Sequence, residues 1–219
     1  MKILFPNEHG AWGMFVASFL VGWLAAPELS WRPLLLLPAA VGAFLARYPA
    51  GIYFKKRRVA RAMKITLHRE KKWFLIYSVL TAAAVLPLFY PLGWRWLLPF
   101  AGFSIAALVF HLRAVIRRKE RTFFVEWSAM AGISVLAPAA SYAAVLRLHA
   151  LSLLTWFLVV LFNTWRIIIV RRRVARKREE PVDFRSVGRR EILYSLIFIA
   201  LIAGIVRIVV SIPHGGFDR

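Results

Sequence analysis

Apolar residues run along this chain in long blocks separated by short clusters of charge. Seven blocks approach the roughly 17–25 residues that a membrane-crossing helix needs. They are Ala11 to Ala26, Leu34 to Phe54, Trp73 to Tyr90, Trp96 to Val115, Phe123 to Leu146, Leu151 to Val170 and Ile192 to Ile212. The first is short, with Phe5 and Pro6 leading into it as an interfacial segment, and the fifth is long enough to tilt. The pattern predicts an all-α, polytopic integral membrane bundle of about seven transmembrane helices. Residues 1–219 read as one transmembrane domain, because no Gly, Ser or Pro stretch is long enough for a linker. In the second block Pro49 and Gly51 predict a bent or broken helix.

Charge adds an orientation. Sorted between the blocks, the basic residues concentrate in stretches of about 55–72, 113–122 and 171–191. Together with Lys2 these put 24 Lys and Arg on one side, against four (Arg32, Arg95, Arg147 and Arg219) on the other. By the positive-inside rule the amino terminus is cytoplasmic and the carboxyl terminus outside, which requires an odd number of spans. A cleaved leader fits poorly, since its positive region would hold only Lys2 and it would contain Glu8 and His9.

Composition then removes whole classes. A chain that is 60% hydrophobic with a net charge of +21 is neither an ordinary soluble domain nor disordered. The long apolar runs also argue against nucleic acid as a partner. With no cysteine there is no disulfide, thiolate metal site or thiol nucleophile.

The pentapeptide Arg57-Arg58-Val59-Ala60-Arg61 recurs as Arg172-Arg173-Val174-Ala175-Arg176, each copy following a block that ends on the basic side. Two readings stay open: a tandem four-helix repeat lacking its last helix, and two independent interfacial anchors for anionic headgroups.

Three arginines fall inside blocks. At mid-membrane each costs about 2.5–3.5 kcal/mol on insertion scales, so each needs a partner, water or a route to the interface. Arg207 is near enough to the outer end of its span to snorkel and reads as structural. Arg47 and Arg166 lie in the basic half, with Asn163 on the same helix face as Arg166. Glu8, His9, Tyr53, His111 and Glu126 fall in that half too, which predicts a polar cavity open to the cytoplasm. Glu126 is the expected counter-ion for Arg47 or Arg166. The competing reading is a purely structural ion pair, with Glu8 and His9 as solvated groups at a helix start.

The only aspartates, Asp183 and Asp218, lie outside the blocks, and zinc or di-iron spacings are missing. No metal and no cofactor is therefore expected, and arginine would hold any anionic group.

The string Pro6-Asn7-Glu8-His9-Gly10-Ala11-Trp12-Gly13-Met14 resembles the opening motif of the YwiC-like family of bacterial membrane proteins. The resemblance implies a multi-pass protein of the bacterial plasma (inner) membrane, and it adds Trp12 to the candidate ligand-binding residues Glu8, His9, Arg47, Tyr53, Glu126, Asn163 and Arg166. A more distant likeness is to the UbiA-type intramembrane prenyltransferases, whose functional loops follow spans two and six. Those enzymes hold prenyl diphosphate through magnesium on Asp-rich motifs. Here the corresponding stretches read RYPAGIYFKKRR and NTWRIIIVRRRVARKR, so at most the helical scaffold is shared.

The expected function is binding of an anionic lipid or isoprenoid-type ligand in a cytoplasm-facing basic cavity. Partners are the lipid bilayer and its anionic lipids. Enzyme activity on that ligand is left open, with Glu8, His9 or Glu126 as acid or base. The rivals are a secondary transporter, and an accessory or assembly subunit whose basic loops dock an acidic membrane protein partner.

Overall fold

The computed structural model describes residues 4–6, 9–63, 66–90, 92–117, 122–176 and 184–211, and of residues 9, 58–62, 173–176, 184–192 and 209–211 the backbone alone. Among the described residues all regular structure is helical. The helices are α1 (His9–Leu24), α2 (Leu37–Ala62), α3 (His68–Phe89), α4 (Leu97–Ile116), α5 (Phe123–Ser134), α6 (Leu136–Val145), α7 (Ala150–Arg176) and α8 (Phe184–Ser211). A short 3-10 turn, Arg32–Leu36, leads into α2. Five stretches are long and apolar enough to cross a membrane: Arg32–Arg57, His68–Phe89, Leu97–Ile116, Phe123–Val145 and Ala150–Arg172. Gly10–Leu24 and Leu193–Ile208 are shorter apolar helices. The chain is thus an all-α, multi-pass membrane protein, with α5 and α6 end to end in one span.

Two expectations change. Span two is not broken, because α2 runs continuously through Pro49 and Gly51. The break falls in span five, at Val135 between α5 and α6. Three residues on, Pro138 has no N–H to offer the Ser134 carbonyl, which removes one rung of the ladder at that point. The basic stretches are also more helical than loops: α2 continues to Ala62 and α7 to Arg176, so both copies of the repeated pentapeptide are helical. Arg, Lys and Ala are good helix formers, and cations suit a helix C-terminus.

Span five is the hub. Of its apolar core 67% is buried, against 6% for α4 and 11% for α3. Along α6 every residue from Ala137 to Ala144 is buried. On one side, Ala137 joins Ala17, Val21 and Ala25 of α1, Val159 of α7 and Ile199, Ile202 and Val206 of α8. On the other, Ala139, Tyr142 and Ala143 meet Leu36 of the 3-10 turn, Ala39 of α2, Leu88 of α3, Leu97 of α4 and Trp94 of the connection between α3 and α4. Hydrocarbon tails offer no hydrophobic drive for one helix to meet another, so such contacts depend on small residues that let backbones approach. Gly22 on α1 is an instance, since a Cβ there would overlap the Ala137 carbonyl. Gly42 does the same for α2 on α3, where a Cβ would lie 2.6 Å from Thr81 Oγ1.

The two halves do not pack alike. Helices α2 and α3 approach backbone to backbone at Gly42, whereas their counterparts under a tandem repeat, α7 and α8, meet through side chains. Phe162 stacks on Phe198 at 4.0 Å. Arg207, half-buried, donates to the Pro27 carbonyl at 3.4 Å and ties α8 to the connection after α1. Outward faces of α3 and α4 present Leu75, Val79, Leu86, Leu98, Phe103 and Ile105, suited to lipid.

Candidate functional site

The candidate residues fall into separate groups near the basic end of the bundle. The first lies between α1 and α2. Trp12, one turn into α1, stacks on Phe5 at 5.3 Å and meets Phe44 of α2 edge-on at 4.6 Å. Phe15 closes the cluster, 5.3 Å from Phe44. The Arg47 guanidinium lies over the same Phe44 ring, 5.4 Å from its centroid, on the side nearer the basic end. Trp12 and Arg47 thus share one ring as a wall. The short segment before α1 is held down by Tyr77, whose hydroxyl donates to the Leu4 carbonyl at 3.1 Å. The indole N–H groups of Trp12 and of Trp73 on α3 are buried without an acceptor. A buried donor left unsatisfied costs about 1–3 kcal/mol, so each is a place where an acceptor is welcome.

Tyr53 lies six positions beyond Arg47 on α2, about 9 Å along the axis. It packs on Phe54 at 5.3 Å, and Phe54 in turn meets Phe74 of α3. Glu8 and the His9 side chain lie outside the described residues.

A second group is buried between α5, α7 and α8. Asn163 Nδ2 donates to Ser134 Oγ at 3.0 Å, and Arg166 Nη1 donates to Ser195 Oγ at 3.1 Å. All four residues are buried, Arg166 at 3% exposure despite its charge. Phe162 supplies a ring face 5.6 Å from the Arg166 guanidinium. These residues extend a stripe on the inner face of α7 that begins with Ser152, Thr155 and Val159 at helical spacing. Near the opposite end Ser152 and Ser141 share a hydrogen bond of 2.8 Å, so that half of the bundle interior contains buried hydroxyls. Serine and threonine carry no charge to stand out in an apolar block, but the spacing of Ser152, Thr155, Asn163 and Arg166 was a usable signal.

The third group corrects an expectation. Glu126 pairs with neither Arg47 nor Arg166 but with Arg171, whose Nε donates to Glu126 Oε2 at 2.8 Å. The reason is the length of α7. Arg171 follows the last apolar residue of its block and reads as a loop residue, yet the helix carries it back over α5. Glu126 lies eight positions before Ser134 on α5, and Arg171 eight positions after Asn163 on α7, so both contacts belong to one antiparallel register. The pair is 39% and 36% exposed, which limits its worth to about 1 kcal/mol or less. Among the described residues no group of three His, Asp or Glu side chains is placed to hold a metal ion.

Trp12, Arg47, Tyr53 and Glu126 belong to a recognisable lineage, for the YwiC-like protein family model matches residues 5–141. The chain belongs to the YwiC-like family. Uncharacterized protein YwiC of Bacillus subtilis (strain 168) is 28% identical over 128 residues, covering 55% of this chain and 46% of that protein. The chain therefore spans less than half the length of that relative. No solved structure matches. The matched region ends within α6, so Asn163 and Arg166 lie beyond it.

Proposed function

We propose that this membrane protein binds an anionic amphipathic molecule, a lipid or an isoprenoid-type chain, at the basic end of the bundle between α1 and α2. The observation that carries the reading is the pairing of Arg47 with Trp12 across Phe44, a cation set above an aromatic wall. The guanidinium takes an oxyanion with directed donors, and the rings take hydrocarbon. Around it, exposed Lys55, Lys56 and Arg57 end the apolar run of α2, Lys71 and Lys72 lie near the start of α3, and Arg113 and Arg117 close α4. Each such cation near an anionic surface contributes about 1 kcal/mol of attraction, which concentrates anionic lipid at this end. Read by the positive-inside rule, that end faces the cytoplasm of a bacterium and the ligand comes from the inner leaflet. The likeness to prenyltransferases enters as chemistry only, with arginine in place of magnesium for a phosphate or diphosphate headgroup.

Lipid retained through purification, measured by native mass spectrometry, tests the proposal. Arg47→Gln removes a charge-assisted contact of about 1.5–3 kcal/mol, so retention of anionic lipid should fall roughly tenfold or more. Trp12→Phe keeps a ring and removes the buried N–H, with a smaller loss. Unchanged retention in an Arg47→Gln, Arg166→Gln double variant counts against the proposal.

A second reading, a secondary transporter, is favoured by the interrupted span five and the buried polar stripe along α7 that reaches toward both ends. Broken helices at mid-bundle are where such proteins hold their cargo. Flux of a candidate solute into proteoliposomes, absent from protein-free vesicles, would bring it forward.

A further inference from the structure

At the break between α5 and α6 two hydrogen-bond acceptors belong to residues that a side-chain bond joins, Ser134 and Asn163. One is the main-chain carbonyl of Ser134. Its helical donor would be the N–H four residues on, and that residue is Pro138, which has none. The backbone bonds at the junction run instead from Val135 N–H to the Ile133 carbonyl and from Ala139 N–H to the Val135 carbonyl. The other is Asn163 Oδ1. The Asn163 side chain is 2% exposed, its Nδ2 is bonded to Ser134 Oγ, and its Oδ1 has no protein donor. The Nδ2 bond joins the Asn163 amide to the residue whose carbonyl Pro138 has released.

We propose that this junction is a binding site for a small neutral hydrogen-bond donor with two hydrogens to give, bridging Asn163 Oδ1 and the Ser134 carbonyl. Two acceptors on residues already bonded to each other call for a donor, and buried polar groups are satisfied by protein or by an ordered molecule in the great majority of cases. The charge nearby decides against a cation. Arg166 is one helical turn from Asn163 on the same face and 3% exposed, so a metal ion or ammonium here would add a second cation to the same buried stripe. A water molecule meets the requirement, as does an amide or hydroxyl of a small solute. The site does not depend on the proposed headgroup contacts of Arg47 and Trp12, which lie on α1 and α2.

The test is an experimental map of the full chain in lipid nanodiscs, at a resolution that shows ordered water, with and without a small amide such as urea in the buffer. The expected result is density within hydrogen-bond distance of both oxygens, a single peak for water or a larger shape that appears only with the solute. Asn163→Leu, close in volume, should lose that density. If that variant does not fold, Pro138→Ala tests the other acceptor, since it returns an N–H to the Ser134 carbonyl and should abolish the bridge. Density that persists unchanged in Pro138→Ala, density that vanishes when sodium and potassium are replaced by a bulky organic cation, or an Asn163 amide bonded at both atoms to protein would each overturn the assignment.

Discussion

Substituting alanine for Gly22 forces a single methyl group into a contact between α1 and α6 that has no room for it. An added Cβ would overlap the Ala137 carbonyl oxygen and sit 2.6 Å from its carbonyl carbon and Cα, where ordinary contact begins at 3.4 Å. Those neighbours are backbone atoms of a helix buried on all sides and cannot rotate away. α1 and α6 must separate by on the order of 1 Å, which also opens the packing of Ala17, Val21 and Ala25 with Ala137. Overpacking a well-filled site costs about 1–3 kcal/mol, and a backbone neighbour puts Gly22→Ala at the top of that range or above it. Gly42→Ala should cost less, about 1–2 kcal/mol, because Thr81 Oγ1 can turn aside at the expense of its 2.7 Å bond to the Tyr77 carbonyl, and the Thr81 backbone at 3.3 Å needs to give only slightly. Gly102→Ala meets nothing within 4 Å and should be neutral, or stabilising by up to about 1 kcal/mol through helix propensity. Unfolding midpoints in mixed detergent micelles, read by size-exclusion profile, give the order directly. If Gly22→Ala proves as stable as Gly102→Ala, α1 and α6 are not in contact as described, and the central place of span five falls with that contact.

Two further outcomes follow from local geometry. Leu146 ends α6 in the left-handed region at φ 56°, costly for a side chain with a Cβ, so Leu146→Gly should raise the same unfolding midpoint by about 1 kcal/mol; a drop would show that the exposed leucine side chain contributes more than its strain costs. A double-mutant cycle on Glu126→Gln and Arg171→Gln should give a coupling energy of about 1 kcal/mol or less, shrinking with added salt. A coupling of several kcal/mol would place the pair in a far drier site than its exposure indicates.

Much of the fold was legible because membrane helices must satisfy their own backbone and show apolar faces to lipid, so block length alone locates them. Trp73 to Tyr90 became His68–Phe89, and Trp96 to Val115 became Leu97–Ile116. Helix ends were harder, since Arg-rich and Lys-rich turns extend α2 and α7 past the last apolar residue, and Arg171 reached Glu126 through that extension. The interruption in span five was not legible either. Pro49 and Pro138 look alike in sequence, and whether a proline interrupts its helix depends on what neighbouring helices offer to the carbonyl it releases. Of the candidate residues, Trp12 and Arg47 meet the same Phe44 ring, while Asn163 and Arg166 bond to Ser134 on α5 and Ser195 on α8, partners of which the sequence held no sign.

The proposal of an anionic ligand at the basic end is tested most directly by an experimental map of the protein in nanodiscs containing phosphatidylglycerol. The account predicts headgroup density in contact with the Arg47 guanidinium and chain density running along Phe44, Trp12 and Phe5. No headgroup density at Arg47, with the aromatic cluster closed against itself and lipid ordered elsewhere, would contradict it.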